Sequence, residues 1–322
     1  MEAIRTEDLT KHYNVGFWRP RPYVALEALT LHVRQGEVFG FLGPNGAGKT
    51  TTLKLLMQLT FPTSGRAEIL GRPVGDVAVK RRIGYLPENP YFYDYLTAEE
   101  LLQYLAGLFG YSTAECRRRV ASLLDDVGIG AERRLQLRKF SKGMLQRVGI
   151  AQAIINDPEV VFFDEPMSGL DPLGRREIRE LILRLRDRGC TVFFCSHVLS
   201  DAEALCSRVA ILAGGRLAAE GELSEMLAFH ARAWEIVVAG LTDTVLERVT
   251  AAGHVVRATP LGAERYALQL PLSVTLDRVV ADLAAQGAQL VSINPVRETL
   301  EEFFVRQIGA APRDRGLEPL AR

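Results

Sequence analysis

The sequence predicts an α/β fold built on a largely parallel sheet, and three observations predict it. Short apolar runs, "EVFGFLG" (37–43), "RIGYLPE" (82–88), "EVVFFDE" (159–165) and "CTVFFCSH" (190–197), are rich in β-branched and aromatic residues and close on polar ones. Buried parallel strands read this way at their carboxyl ends. Helical apolar spacing occupies the segments between them, at 97–109, 114–127, 144–156 and 174–188. The first run also passes straight into a Gly-rich turn and an amphipathic helix, "PNGAGKTTTLKLLMQL". Such alternation places a functional site at the strand ends.

Taken in order, the chain opens on alternating strands, "AIRTEDLTKHY" and "ALEALTLHVRQGE", joined by the polar, Pro-containing loop "NVGFWRPRPY". Its inner part, "FWRPRPY" (17–23), reads as a rigid solvent loop, with contact to lipid headgroups or a partner as the other reading. After "RVAILAGGRLAAEG" and a short helical link near 222–232 the character changes. Residues 234–306 read strand ("WEIVVAG"), helix ("TDTVLERVTAAG"), strands ("HVVRA", "RYALQL"), helix ("TLDRVVADLAAQG"), strand ("AQLVSIN") and helix ("RETLEEFFVRQ"). This predicts a large α/β domain over 1–228, a small accessory α+β domain over 229–310 and a Pro/Gly/Arg-rich tail over 311–322.

Composition narrows the function. Lys plus Arg and Asp plus Glu are both 39, so no basic excess draws the chain to nucleic acid. No apolar run approaches the roughly 18 residues of a membrane span, and "MEAIRTEDLTKHY" lacks the apolar stretch of a signal peptide. The four cysteines, Cys116, Cys190, Cys195 and Cys206, form no CxxC pair and read as reduced thiols of a cytosolic protein.

The chemistry concentrates in four places. "GPNGAGKT", Gly43 to Thr50, matches G-x-x-x-x-G-K-[ST] with the required strand before it and helix after it. Gly43, Gly46 and Gly48 let the loop turn its N–H groups to phosphate, Lys49 reaches the β- and γ-phosphates, and the Thr50 hydroxyl can hold Mg²⁺. Asp164, closing a strand, suits a Mg²⁺ carboxylate, and Glu165 beside it is placed to deprotonate an attacking water. His197 closes a strand of the same sheet on the same edge and reads as a γ-phosphate contact, with a structural cap as the other reading. "FSKGM" (140–144) precedes a second helical run and has the layout of an anion site, with Ser141 able to cap.

Together these motifs resemble the ATP-binding subunit of an ABC transporter over residues 1 to about 225. Glu88 in "GYLPE" stands at the family's Q-loop position, "FSKGM" at the signature, "SGLD" (168–171) at the D-loop, and His197 at the switch histidine. The resemblance implies a P-loop NTPase of ABC ATPase type: a mixed sheet core, an antiparallel β subdomain and a helical subdomain at about 90–157. It implies ATP and Mg²⁺ as cofactors. ATP would be held by Gly43, Pro44, Asn45, Gly46, Ala47, Gly48, Lys49, Thr50 and Thr51, with Tyr13 stacking on adenine; the metal would lie at Thr50, Glu88 and Asp164. Two subunits would pair head to tail, so that Ser141, Lys142 and Gly143 of one face the partner's nucleotide and Asp171 lies at the joint.

The chain departs from the family's LSGGQ signature at Phe140, Lys142 and Met144, and carries Glu88 where a glutamine is usual. Lys142 either adds charge near the phosphates or points to solvent, the favoured reading. The FSKGM signature, the GYLPE loop and the extra C-terminal domain resemble the ABC-2 branch, whose members mostly export. The expected function is therefore ATP hydrolysis driving an ABC-2 type exporter. Its expected partners are a second copy or paralogous subunit and a separate membrane permease, at the cytoplasmic face of the cell membrane. A soluble ABC ATPase acting on ribosomes or DNA is the competing expectation.

Overall fold

A computed structural model describes residues 1–16, 21–228, 231–251, 254–262, 264–297 and 299–310. Two compact units result, Met1–Leu223 and Ser224–Val305.

In the first unit β1 (Glu2–Val15) pairs antiparallel with β2 (Arg21–Arg34). Then come β3 (Val38–Leu42), α1 (Lys49–Leu56), β4 (Ser64–Ile69), the short β5 (Arg72–Pro73), α2 (Val77–Lys80) and β6 (Ile83–Leu86). Three helices follow, α3 (Ala98–Leu108), α4 (Thr113–Asp126) and α5 (Lys142–Ala153). The unit closes with β7 (Val160–Asp164), α6 (Pro172–Asp187), β8 (Thr191–Ser196), α7 (Leu199–Leu205), β9 (Arg208–Ala213) and β10 (Arg216–Glu222).

These strands form two sheets. One is antiparallel, in the order β2-β1-β4-β5, and the other runs β10-β9-β3-β8-β7-β6. In the second sheet β9, β3, β8, β7 and β6 pair in parallel, and β10 turns back antiparallel on β9. All residues of β3, β7 and β8 are buried, which explains why their sequences run apolar without alternation. Phe193 at the middle of β8 packs its ring against Phe39, Phe41 and Phe162 at centroid distances of 5.8, 5.2 and 5.6 Å. Such offset contacts add about 1 kcal/mol each beyond burial. One apolar core joins the two sheets and α1, with Ile4, Leu29, Leu31, Leu53, Leu56 and Ile69 alongside these phenylalanines.

The helices start where capping chemistry dictates. Thr97 and Glu100 form a reciprocal capping box on α3, Ser112 caps α4, and Asp171 caps α6 with Pro172 in its first turn. Ser141 accepts a hydrogen bond from Met144 N at 3.2 Å and caps α5, so that helix begins at Lys142 rather than at 144. The N-terminal loop is also shorter than its composition suggests. Arg21, Pro22 and Tyr23 belong to β2, because the hairpin register continues through Tyr13↔Tyr23 and Val15↔Arg21; Phe17 to Pro20 lie outside the described residues. β4, β5 and β10 are strands that the sequence does not single out, since they are short or only partly buried.

The second unit holds β11 (Ala231–Ala239), α9 (Asp243–Ala251), β12 (Arg257–Gly262), β13 (Arg265–Pro271), α10 (Leu276–Ala285) and β14 (Gln289–Arg297), preceded by α8 (Leu223–Ala228) and followed by α11 (Leu300–Ala310). Its antiparallel sheet, β12-β13-β11-β14, packs Ile236, Val238, Leu268 and Leu270 against Val249 of α9 and Val279 and Leu283 of α10. The strand expected at "HVVRA" begins only at Arg257, since Val255 is drawn into that core. The division between units falls at Leu223/Ser224, a few residues before the boundary expected at 228.

One close approach gives a packing test. A Cβ on Gly84 of β6 would stand 1.8 Å from the carbonyl oxygen of Ala153, the last residue of α5. Gly84→Ala should cost about 3 kcal/mol and lower the melting temperature by roughly 6–12 °C. An unchanged thermal transition would show that α5 and β6 are not in this contact.

Candidate functional site

The site forms where β3, β7 and β8 end together. Leu42 pairs with Ser196 and Asp164 with Cys195, so the residues following these strands emerge side by side. From β3 the chain enters a turn that needs glycine. A Cβ at Gly43 would lie 2.6 Å from the Leu212 carbonyl, and Gly48, at φ 107°, would bring one within 2.5 Å of the Ala25 carbonyl. Gly48 occupies the N-cap of α1 without any side-chain cap, and the first turn carries no acid. The helix N-terminus is thus left open to an anion.

Lys49 is buried beneath this loop. Its Nζ donates to the Gly43 carbonyl at 2.6 Å and the Pro44 carbonyl at 3.3 Å, and stands 3.9 Å from Glu165 Oε1. The cleft above has a volume of about 300 Å³, and its lining includes Asn45, Gly46, Ala47, Thr51 and Glu88.

Asp164 is almost fully buried, and the Thr50 hydroxyl donates to its Oδ2 at 3.1 Å. Its Oδ1 is buried with no hydrogen-bond partner among the described residues. Burial pushes the Asp164 carboxyl up to about 6, opposed by the Thr50 bond and reinforced by Glu88 and Glu165. An orphaned carboxylate oxygen beside a hydroxyl, with Glu88 in the same cleft, is a hard-oxygen donor set of the kind Mg²⁺ takes.

Glu165 is held on all sides. Its Oε1 meets His197 Nδ1 at 2.8 Å, its N–H donates to the Cys195 carbonyl at 3.1 Å, and its own carbonyl accepts from Ser168 N and from Gln146 Nε2, both at 3.1 Å. It sits at φ 53°, a left-handed conformation that costs a non-glycine residue of the order of 1 kcal/mol. Beyond His197, buried Asp201 in the first turn of α7 faces Arg175 and Arg179 of α6 at 3.5 and 3.4 Å. The segment carrying His197 is thereby tied to the helix that Asp171 caps.

Not every expected residue reaches the cleft. Ser141 and Lys142 are exposed, and neither they nor Gly143 line it. Gly143 instead packs on the 168–171 turn, where an added Cβ would lie 3.3 Å from the Gly169 carbonyl and from Leu170. Lys142 keeps to the solvent side with its stem along Gly169. Asp171 is used as a cap, accepting from Gly174 N at 2.7 Å. Tyr13 also does not line the cleft; the aromatic there is Tyr23, its cross-strand partner, while Lys11 Nζ lies 4.9 Å from the Tyr13 ring. In the sequence Tyr23 lies in a Pro-containing polar stretch that reads as loop, and only the hairpin register brings it into β2. A glutamine among the apolar residues of a helix is the sequence signal for Gln146, which is buried in α5.

A sheet edge with an open P-loop, a buried lysine and a partnered carboxylate defines a nucleoside-triphosphate site of the P-loop class. The family model of ABC transporters matches residues 26–168. An ABC transporter ATP-binding protein of Synechocystis is 45% identical over 98% of this chain and 86% of its own length. The bacitracin transport ATP-binding protein of Enterococcus faecalis is 33% identical, covering 95% of this chain and 96% of that protein. Among solved structures, a dimeric ATP-binding cassette in a post-hydrolysis state with ADP and Pi aligns at a TM-score of 0.63, with 27% identity over 68% of this chain and 98% of the cassette. The chain belongs to the ATP-binding subunits of ABC transporters, and it is an ATPase.

Lys49 is the buried cation at the phosphate end of the cleft, so its removal has a defined cost. Lys49→Ala should weaken ATP binding at least tenfold, the loss of one or more charge-assisted hydrogen bonds. Calorimetry giving equal affinity for mutant and parent would contradict the assignment.

Proposed function

We propose that this ATPase powers an ABC-2 type exporter, pairing head to tail with a second copy or a paralogous subunit beneath a separately encoded integral membrane permease. Among the described residues no helix is long and apolar enough to cross a membrane, so transport requires a partner that spans. The relative named for bacitracin transport, matched over nearly its whole length, supports the exporter reading over a ribosome- or DNA-associated role. Docking on such a permease places the chain at the cytoplasmic face of the membrane.

In this reading ATP lies on the loop from Gly43 to Thr51 with its γ-phosphate toward Lys49, and the base stacks on the aromatic edge formed by Tyr23 and Tyr13. Mg²⁺ would be held by Thr50 and Asp164, with Glu88 close by, and would neutralise charge on the β- and γ-phosphate oxygens. Glu165 takes a proton from the attacking water as its oxygen bonds to the γ-phosphorus and the bond to the β-γ bridging oxygen breaks, giving ADP and inorganic phosphate. His197, hydrogen-bonded to Glu165, orients that carboxylate and contacts the γ-phosphate. The second unit carries no comparable cluster among its described residues and serves as an accessory domain that tunes the ATPase.

The observation that carries the two-chain reading is the position of Ser141 and Gly143. Ser141 is the exposed cap of a helix start in which Gly143 is half-buried, and neither lines the chain's own cleft. Facing a partner's γ-phosphate gives them a ligand, and contact from both sides lasts only while ATP is intact, so hydrolysis loosens the pair. Mixing Lys49→Ala chains with Ser141→Arg chains tests this. Each heterodimer has one site with both defects and one with neither, whereas each homodimer has two defective sites. ATPase activity should reappear in the mixture. No recovery, with heterodimers shown to form, would exclude the site shared between chains.

A further inference from the structure

We infer that Gln146 is a positioning residue for ATP hydrolysis: it fixes the backbone of Glu165 and so links the helix that starts at Ser141 to the proposed general base. The inference rests on the reading of Glu165 given above and extends it to a residue that never touches the nucleotide.

Gln146 is 2% exposed in α5, on the helix face that it shares with the buried Gly149 and Ile150. An apolar side chain there would meet no desolvation penalty, whereas a buried amide costs about 1–3 kcal/mol unless it is hydrogen-bonded. Its Nε2 spends a donor on a single backbone atom, the Glu165 carbonyl, at 3.1 Å. Glu165 is the one residue of this edge held at a positive φ without being glycine: Asp164, Pro166 and His197 are not among the residues with that conformation. A backbone so disfavoured persists only where its surroundings over-determine it.

The carbonyl is a junction of three segments. Gln146 reaches it from α5, Ser168 N reaches it from the turn that leads to Asp171, and the residue's own carboxylate extends the other way to His197 Nδ1. Ser141 caps α5 and Gln146 lies one and a half turns further along the same rigid helix. Any shift of α5 when its exposed start meets a phosphate therefore moves the donor that holds Glu165. Losing that donor frees the Glu165 backbone to relax, and its carboxylate leaves the line to the attacking water. Nucleotide affinity changes little, because Lys49 is held chiefly by the Gly43 and Pro44 carbonyls, at 2.6 and 3.3 Å, and only loosely by Glu165 at 3.9 Å.

The test is Gln146→Met, which matches the length and fills the space but donates nothing. Its kcat should fall about tenfold or more, with the Kd for ATP within about twofold of the parent; a misplacement of an ångström is enough for that loss. Val148→Ala, equally buried in α5 but on another face of the helix, is the control: it should lower the melting temperature at least as much and leave kcat within about twofold. In single-turnover assays, Gln146→Met should add nothing to the slow residual hydrolysis of Glu165→Gln, since it acts only through that carboxylate. Parental kcat in Gln146→Met, an equal kcat loss in Val148→Ala, or a further drop in the double variant would each overturn the inference. Parental turnover by Glu165→Gln alone would instead overturn the role of Glu165 itself. Should Gln146→Met not fold, Gln146→Asn, one methylene too short to reach, carries the same comparison.

Discussion

The structure depends on the pairing of β8 between β3 and β7. Those three strands are wholly buried and in parallel register, so their carboxyl ends reach the same edge together. The Phe193 ring, in contact with phenylalanines of both neighbours, fixes that register from within the core. A slip by one residue would invert every side chain between the two faces. It would also part Lys49, Glu165 and His197, which come from three different strand–loop connections. The chemistry is thus a consequence of how the core packs.

At that edge buried charges are only partly matched within the chain. Lys49 borrows two carbonyls of its own loop, and Asp164 leaves one oxygen without a partner while burial raises its carboxyl to about 6. Such arrangements are costly in an isolated chain and become favourable when phosphate and a cation arrive. Glu165 shows the same economy in its backbone: a left-handed conformation is retained because Cys195, Ser168 and Gln146 all bind it.

Much of this was legible in the sequence where a residue type has few alternatives. The P-loop glycines could be read because two of them stand where a Cβ would strike a carbonyl, at Leu212 or Ala25. Ser141 could be read as a cap, and the apolar runs of β3, β7 and β8 as buried strands. Register and partial burial were not legible. Tyr23 looked like loop until the β1–β2 hairpin carried it into the strand beside the cleft. Gln146 gains meaning only from a carbonyl nineteen residues along the chain. Strands β4 and β10, half-exposed and short, carry no apolar run strong enough to announce them.

The central claim is that an intact γ-phosphate, gripped by Lys49 and His197 of one chain and by Ser141 and Gly143 of another, holds two chains together. The most direct measurement is the molar mass of Glu165→Gln by light scattering with ATP and Mg²⁺, and again with ADP. Blocking the proton transfer should leave ATP in place, so mass should double with ATP and return to that of one chain with ADP. A chain that stays monomeric with ATP bound, or that pairs equally well with ADP, would contradict the account.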